Sequence, residues 1–148
     1  LKELERKLSY QVEIDSNGIS YAEGRRRTAQ AQVWLKPSSV GVFLVNDQLA
    51  HEHFGKQGDI RFRAELWRPF EATNTFSQFN VYALVTGGGP AGQAEAIRHA
   101  LSNALVKQNL QFLEPLEKQN LLKIDYRRKE RKKYGRHRAR RSFQWSKR

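Results

Sequence analysis

The residues with the most evident chemistry lie at the end of the chain. Residues 123–148 hold 13 lysines and arginines against 2 acidic residues, a net charge of +11, whereas the whole chain carries +12. Four aromatic residues are spaced among these cations: Tyr126, Tyr134, Phe143 and Trp145. Because cations neutralise phosphates and flat rings stack on bases, this segment, the basic tail, is predicted to bind nucleic acid.

Most of the predicted RNA-binding residues of the basic tail are cations that would contact backbone phosphates. The set is Arg127, Arg128, Lys129, Arg131, Lys132, Lys133, Tyr134, Arg136, Arg138, Arg140 and Arg141. Neither a helical nor a strand period continues beyond Asp125, so the tail is expected to be extended or disordered until it binds a partner.

A glycine-rich loop between a predicted strand and a predicted helix is a second candidate for phosphate binding. It consists of Gly87, Gly88 and Gly89, and Gln93 follows in the helix; backbone amides and a helix amino end can hold a phosphate in this geometry. The loop lacks the Lys-Ser/Thr of a P-loop, which disfavours nucleotide hydrolysis. Two alternatives stay open: the amides bind an RNA phosphate, or the glycines only permit a tight turn.

Further cations of the body are expected to extend this phosphate-binding surface. Arg25, Arg26 and Arg27 precede the first predicted strand, and Arg98 lies on the polar face of the main predicted helix. His99, beside Arg98, is expected either to contact RNA or to be solvated.

Catalytic and metal chemistry find little support in the sequence. His51-Glu52-His53 points neighbouring side chains in different directions and has no evident third ligand. Cysteine is absent, which removes disulfides, thiolate ligands and a cysteine nucleophile. No Ser/His/Asp set or carboxylate pair stands out from chance, and no apolar run approaches the roughly 20 residues of a membrane span. We therefore expect no enzyme activity, no catalytic residue, no metal, no cofactor and no membrane partner.

Hydrophobic spacing predicts the strands that would position these residues. Alternation predicts strands over 29–35, 42–45 and 79–85, with the first two paired as a hairpin. At the start of the chain, Leu1, Leu4, Leu8 and Val12 have helical spacing, and Asn17-Gly18 would end that helix.

Four further helical segments are predicted in the body. One turn over 48–54 ends at Gly55, and a short helix capped by Asp59 ends at Pro69. The longest follows Pro90, with its apolar stripe at Ile97, Ala100, Leu101, Ala104 and Leu105, and another short helix surrounds Pro115. The predicted organisation is a helical N-terminal extension over 1–23, a globular α/β domain over 24–122 and the basic tail over 123–148.

Several motifs, taken in order, resemble those of ribosomal protein number nine of the small subunit, in its bacterial and organellar form. They are Gly24-Arg25-Arg26-Arg27-Thr28-Ala29, Val33-Trp34-Leu35-Lys36-Pro37, Val45-Asn46, Gly87-Gly88-Gly89, Gly92-Gln93-Ala94, Ala96-Ile97-Arg98-His99, Lys129-Glu130-Arg131-Lys132-Lys133-Tyr134-Gly135, Ala139-Arg140-Arg141 and Ser146-Lys147-Arg148. The resemblance covers Gly24 to Arg148.

The resemblance implies a two-layer α/β sandwich like the second domain of ribosomal protein five, in a protein that is not an enzyme. It further implies binding to ribosomal RNA in the head of the small subunit, next to other head proteins and not as a homo-oligomer. The final residues, Ser146, Lys147 and Arg148, would contact transfer RNA in the peptidyl site. A free-standing nucleic-acid-binding protein or RNA chaperone with a disordered basic arm is the alternative function.

The expected location is the mitochondrial matrix, because an added N-terminal helix in a chain without any methionine suits an imported protein. A chloroplast or the bacterial cytoplasm is the alternative.

Overall fold

The computed structural model describes residues 10–55 and 60–147. In this part of the chain, five strands form one sheet: β1 (Ser20–Arg26), β2 (Ala29–Pro37), β3 (Phe43–Val45), β4 (Gln48–Leu49) and β5 (Phe79–Thr86). The helices are α1 (Ala50–Gly55), α2 (Ile60–Thr73), α3 (Pro90–Gln108) and α4 (Leu113–Lys118), with a 3₁₀ turn at Leu110–Phe112.

The sheet has the strand order β1-β2-β5-β3-β4 and is mixed. Only the pairing of β3 with β5 is parallel; the other three pairs are antiparallel. Alternate residues of β1, β2 and β5 are buried, as expected for strands that pack helices on one face only. The predicted α/β two-layer fold is confirmed.

The core lies between the sheet and α3. The predicted apolar stripe of α3 is fully buried, and α3 begins with Pro90 as expected. Where β1 crosses α3, the Oγ of Ser20 donates to the carbonyl of Ala104 at 3.0 Å. A Cβ on Gly24 would lie 2.2 Å from the carbonyl oxygen of Ala96, so only glycine allows the strand and the helix to approach this closely.

The opposite face of the sheet carries a row of aromatic rings from three neighbouring strands. Tyr21 pairs in register with Trp34, and Trp34 pairs with Tyr82; the ring centroids are 5.1 and 5.7 Å apart. The hydroxyl of Tyr21 donates to Glu23, which raises the pKa of the tyrosine. Cross-strand ring pairs of this kind stabilise the pairing of β1, β2 and β5.

The predicted hairpin of 29–35 with 42–45 is wrong. The hairpin partner of β2 is β1, which the sequence analysis did not predict and which contains Arg25 and Arg26. β3 instead lies beside β5, so the chain crosses over after Pro37 and does not turn back along β2.

Two helix boundaries also differ from the predictions. Pro69 does not end α2, which continues to Thr73, since burial of Pro69 and Phe70 in the core offsets the hydrogen bond that proline cannot donate. Residues 10–15 have no helical structure, and β1 begins at Ser20, inside the predicted extension over 1–23. The rest of the predicted N-terminal helix, over residues 1–9, and the predicted cap Asp59 lie outside the described residues.

Three predicted elements are present in the structure. The helical turn before Gly55 is α1, the strand at 79–85 is β5, and the short helix around Pro115 is α4. In the described ranges, no helix is both long enough and apolar enough to span a membrane.

Candidate nucleic-acid interface

Three of the predicted phosphate-binding segments meet at one groove of about 920 Å³. One wall is the β1–β2 turn, the second is the glycine loop with the amino end of α3, and the third is the root of the basic tail, residues 124–129. The lining residues are Arg25, Arg26, Arg27, Thr28, Gln30, Gly88, Gly89, Ala91, Gly92, Ile124, Asp125, Tyr126, Arg127, Arg128 and Lys129. The fold thus brings together segments about 60 and 100 residues apart in the sequence.

The glycine loop packs directly against the β1–β2 turn. Gly87 and Gly88 have φ angles of 70° and 68°, and a Cβ on Gly87 would lie 2.6 Å from the carbonyl oxygen of Thr28. A Cβ on Gly88 would lie 2.9 Å from that of Ala29. The glycines therefore meet a packing requirement, which supports the tight-turn alternative of the sequence analysis.

The amino end of α3 opens onto the same groove. Gly89 precedes the helix and supplies no side-chain cap, and Pro90 has no N–H group. The positive end of the helix dipole therefore lies next to the groove, where it favours an anion. The phosphate-binding alternative is thus compatible with the geometry that the packing requires.

Gln93 holds the glycine loop in place. Its Nε2 donates to the carbonyl of Gly87 at 3.1 Å, and its Oε1 lies 3.1 Å from Nε2 of His53 on α1. The sequence analysis predicted Gln93 as an RNA-binding residue, and in the structure its amide already has two partners within the protein. The sequence analysis assigned no function to His53.

Arg26, which the sequence analysis predicted as a phosphate ligand, has several partners within the protein. Its side chain is only 10% exposed, and its Nε donates to Oε2 of Glu95 on α3. Its Nη2 lies 3.2 Å from Oδ2 of Asp125, and its Nη1 donates to the backbone carbonyl of Arg127 at 3.0 Å. The guanidinium is thus occupied within the protein.

Asp125 and Arg127 form a second ion pair at the tail root. The guanidinium of Arg127 bonds both carboxylate oxygens of Asp125 at 2.7–3.1 Å, and the backbone N–H of Arg127 donates to the same carboxylate at 3.0 Å. These bonds, with a smaller contribution from Arg26, hold the pKa of Asp125 well below its usual range. Asp125 is therefore an anion at any physiological pH.

Five cations at the groove are exposed: Arg25, Arg27, Arg127, Arg128 and Lys129. Among the described residues, Arg27, Arg128 and Lys129 have no ion-pair partner. Arg27 sits at the tip of the turn with φ of 56°, between β1 and β2. These side chains are the ones available to phosphates.

Arg98 and His99 do not line the groove. Arg98 packs between helices, and its Nη1 donates to Glu65 on α2 at 2.6 Å. Nε2 of His99 lies 3.2 Å from the carbonyl oxygen of Leu122, and burial lowers the pKa of His99. Arg98, which was predicted to contact RNA, therefore already has a partner within the protein. His99 was expected either to contact RNA or to be solvated, and the structure shows that it is not solvated.

Beyond Lys129 the basic tail has no helix or strand, as expected, but the part between 130 and 143 folds back on itself. Glu130 pairs with Arg140 at 3.0 Å and with Lys133 at 3.2 Å, which lowers the pKa of Glu130. The ring centroids of His137 and Phe143 are 3.9 Å apart.

Most other tail side chains face solvent. The side chains of Tyr134 and Trp145 are 104% and 81% exposed, as stacking on bases requires. The remaining exposed cations of this part are Arg131, Lys132, Arg136, Arg138, Arg141 and Lys147. Ser146 is exposed as well, and Arg148 lies outside the described residues.

Among residues 10–55 and 60–147, no cluster of His, Asp and Glu could hold a metal ion. His53 contacts Gln93, and its ring centroid lies 4.8 Å from that of Phe54, with the two rings edge to face.

The body and the basic tail both fall within a match to a known protein family. The family described as ribosomal protein S9/S16 matches residues 24–148. The small ribosomal subunit protein uS9 of Syntrophobacter fumaroxidans is 44% identical over 128 residues, which cover 86% of this chain and 95% of the relative.

The matched residues thus include the near-neutral α/β body and the polycationic tail. This chain belongs to the ribosomal protein S9/S16 family, of the bacterial type. It is a structural constituent of the small ribosomal subunit and not an enzyme, as the resemblance implied.

Proposed function

We propose that the groove and the basic tail together form the surface that binds ribosomal RNA. The observation that carries this proposal is the meeting of Arg27, Arg128 and Lys129 at one groove beside the amino end of α3. Exposed cations release counterions when they contact phosphates, and the helix end adds a positive potential at the same place. Neighbouring proteins of the small subunit would contact the rest of the body.

The test is binding of the full chain to small-subunit RNA over a range of salt concentrations. In the double variant Arg27→Gln/Arg128→Gln, the slope of log affinity against log salt should become shallower by about 1.4–1.8, since each lost phosphate contact removes about 0.7–0.9.

Lys36→Gln is the matched control. Lys36 is an exposed cation of β2, but it lies seven residues beyond Ala29, roughly 23 Å along the strand from the groove. This variant should keep the wild-type slope. A double variant whose slope equals that of Lys36→Gln would contradict the proposal.

For the tail tip we propose contact with transfer RNA in the peptidyl site. In support, residues 142–147 have neither helix nor strand and are all exposed, so they can extend away from the body. Deleting residues 146–148 removes two of the tail's 13 cations and leaves the groove intact, so the protein should still assemble into subunits.

The assay for the tip is the rate at which transfer RNA dissociates from small subunits that contain the full or the shortened chain. Loss of Lys147 and Arg148 should accelerate dissociation by up to about 10–100-fold, the range expected for one or two charge-assisted contacts. Equal rates, with normal incorporation of the shortened protein, would refute this role.

The mitochondrial matrix is our proposed location, with a chloroplast or a bacterial cytoplasm as alternatives. In support, residues 1–23 precede the part of the chain that the family matches. Mass spectrometry of small subunits from purified mitochondria tests the proposal. Recovery of the protein only from another compartment would refute it.

A further inference from the structure

The root of the basic tail is bound to the body by one buried side chain. Arg26, at the end of β1, reaches Glu95 on α3 and both Asp125 and the carbonyl of Arg127 in the tail. Three elements far apart in sequence thus meet at a single guanidinium. Its contacts to residues 95 and 127 span 69 and 101 residues of chain.

The chemistry of this contact requires arginine. A guanidinium has five N–H donors in a planar fork, so it can serve two carboxylates and a carbonyl in different directions, which an ammonium group on a flexible stem does less well. Because the side chain is almost fully buried, removing one carboxylate would leave a poorly compensated charge. The folded body therefore favours the state in which Asp125 is in place.

The charges of this cluster cancel. Arg26 and Arg127 face Glu95 and Asp125, so the four side chains have no net charge and contribute little to the attraction of phosphates. The next two residues, Arg128 and Lys129, are exposed and line the groove together with Arg27. The position of the neutral cluster determines where these free cations lie.

We propose that Arg26 is a positioning residue: it fixes the tail root on the body so that Arg128 and Lys129 are held beside Arg27 before RNA arrives. This inference rests on the proposed RNA-binding function of the groove. It assigns Arg26 to organising that surface and not to contacting phosphate. Pre-ordering the tail root lowers the entropy that binding must overcome.

The first experiment measures tail-root mobility in the free full-length protein, where RNA plays no part. The chain has no cysteine, so Lys129→Cys provides a single attachment point for a nitroxide spin label. The label should be restricted in the otherwise wild-type protein and should become mobile when Arg26→Met is added. Arg25→Met is the matched control, because Arg25 is the exposed neighbour on the opposite face of β1, and the label should stay restricted.

The second experiment compares RNA affinity and its salt dependence in the unlabelled variants. Arg26→Met should weaken RNA binding by about tenfold, because ordering the backbone of even one more residue on binding has a cost of that size. The salt slope should stay that of the wild type. A phosphate ligand behaves differently, since its loss makes the slope shallower by about 0.7–0.9. Arg25→Met, with its exposed cation at the groove, should show that shallower slope.

Asp125→Asn provides an independent route should Arg26→Met fail to fold, because Asp125 is partly exposed and its replacement is nearly isosteric. It should also mobilise the label. The double variant Arg26→Met/Asp125→Asn should weaken RNA binding no more than the stronger single variant, since both changes break the same contact.

The outcomes separate this inference from the proposed function. A label that stays restricted in both Arg26→Met and Asp125→Asn would overturn the positioning role, as would a shallower salt slope in Arg26→Met. If the label is released but neither Arg25→Met nor the double variant Arg27→Gln/Arg128→Gln changes RNA binding, the groove proposal fails, and with it the part of this inference that concerns RNA. A released label with weaker binding at an unchanged slope supports both.

Discussion

Replacing Gly24 by alanine should strongly destabilise the protein, because β1 crosses α3 at this residue. A Cβ there would lie 2.2 Å from the carbonyl oxygen of Ala96, 2.6 Å from the backbone nitrogen of Ala100 and 3.0 Å from its Cβ. The first distance is more than 1 Å shorter than ordinary van der Waals contact, which begins at 3.4 Å. Two of the three atoms belong to the helix backbone and cannot rotate away.

The expected cost follows from that geometry. To accept the methyl group, β1 and α3 must separate along a contact where all neighbours are buried, and overpacking of this kind costs about 1–3 kcal/mol. Because the obstacle is backbone, we expect the upper end of this range, which corresponds to a fall in the melting temperature of roughly 10 °C for a body of this size.

Gly92→Ala is the matched control, since it makes the same chemical change in α3. A Cβ on Gly92 would meet only ordinary contacts at 3.6 Å, and alanine favours helix. This variant should gain about 0.5 kcal/mol, or roughly 2 °C in melting temperature.

Thermal unfolding followed by circular dichroism, with all proteins at the same salt concentration, measures both changes. A melting temperature for Gly24→Ala within about 2 °C of the wild type would refute the close-approach argument, because overpacking against backbone cannot be that inexpensive.

The remaining predictions concern the tail and His99. If about eight tail cations contact phosphates, log RNA affinity should fall with log salt at a slope near −6 for the full chain and much less steeply for a fragment ending at Leu122; equal slopes would show that the tail is not the main electrostatic contact. In the free protein, amide exchange should be slow in β5 and α3 and fast after Lys129, since exposed ion pairs there contribute only about 0–1 kcal/mol; strong protection across residues 132–143 without RNA would contradict this. Burial lowers the pKa of His99 in the folded state, so the unfolded state binds more protons and stability should fall as the pH drops below about 6.5. His99→Gln should lose less melting temperature than the wild type between about pH 8 and about pH 5; identical losses would indicate that other groups cause the acid sensitivity.

The elements that the sequence predicted well have a strong local period. β2, β5 and α3 alternate or repeat their apolar residues over at least seven positions, and glycine or proline marks their ends. The separation of a near-neutral body from a basic tail needs only a count of charges. These features do not depend on contacts between distant parts of the chain.

The elements that were missed depend on such contacts. β1 contains Glu23, Arg25 and Arg26, and its buried face includes a glycine and an arginine, so no apolar alternation is visible. The parallel pairing of β3 with β5 is a long-range choice that spacing cannot reveal. Pro69 was expected to end a helix because its local cost is known, whereas the burial that offsets this cost depends on the tertiary fold.

The candidate site shows the same division. Residue types predicted a phosphate-binding surface and, for the most part, the segments that form it. They could not distinguish Arg26, whose partners are Glu95 and Asp125, from its exposed neighbours Arg25 and Arg27. A signal was nevertheless present, since Asp125 is one of only 2 acidic residues in the basic tail.

The crossing of β1 over α3 sets an order of events when the chain is made. The hydroxyl of Ser20 bonds the carbonyl of a residue 84 positions later, so the apolar face of the β1–β2 hairpin emerges long before its cover. At synthesis rates of about 5–20 residues per second, the hairpin, complete at Pro37, waits roughly 4–14 s for the end of α3 at Gln108. The cationic tail is made last, after the body has obtained every buried residue of its core. Translation therefore exposes the uncovered apolar face of the hairpin first and the polycationic tail last. These two exposed surfaces are separated in time and need different kinds of protection.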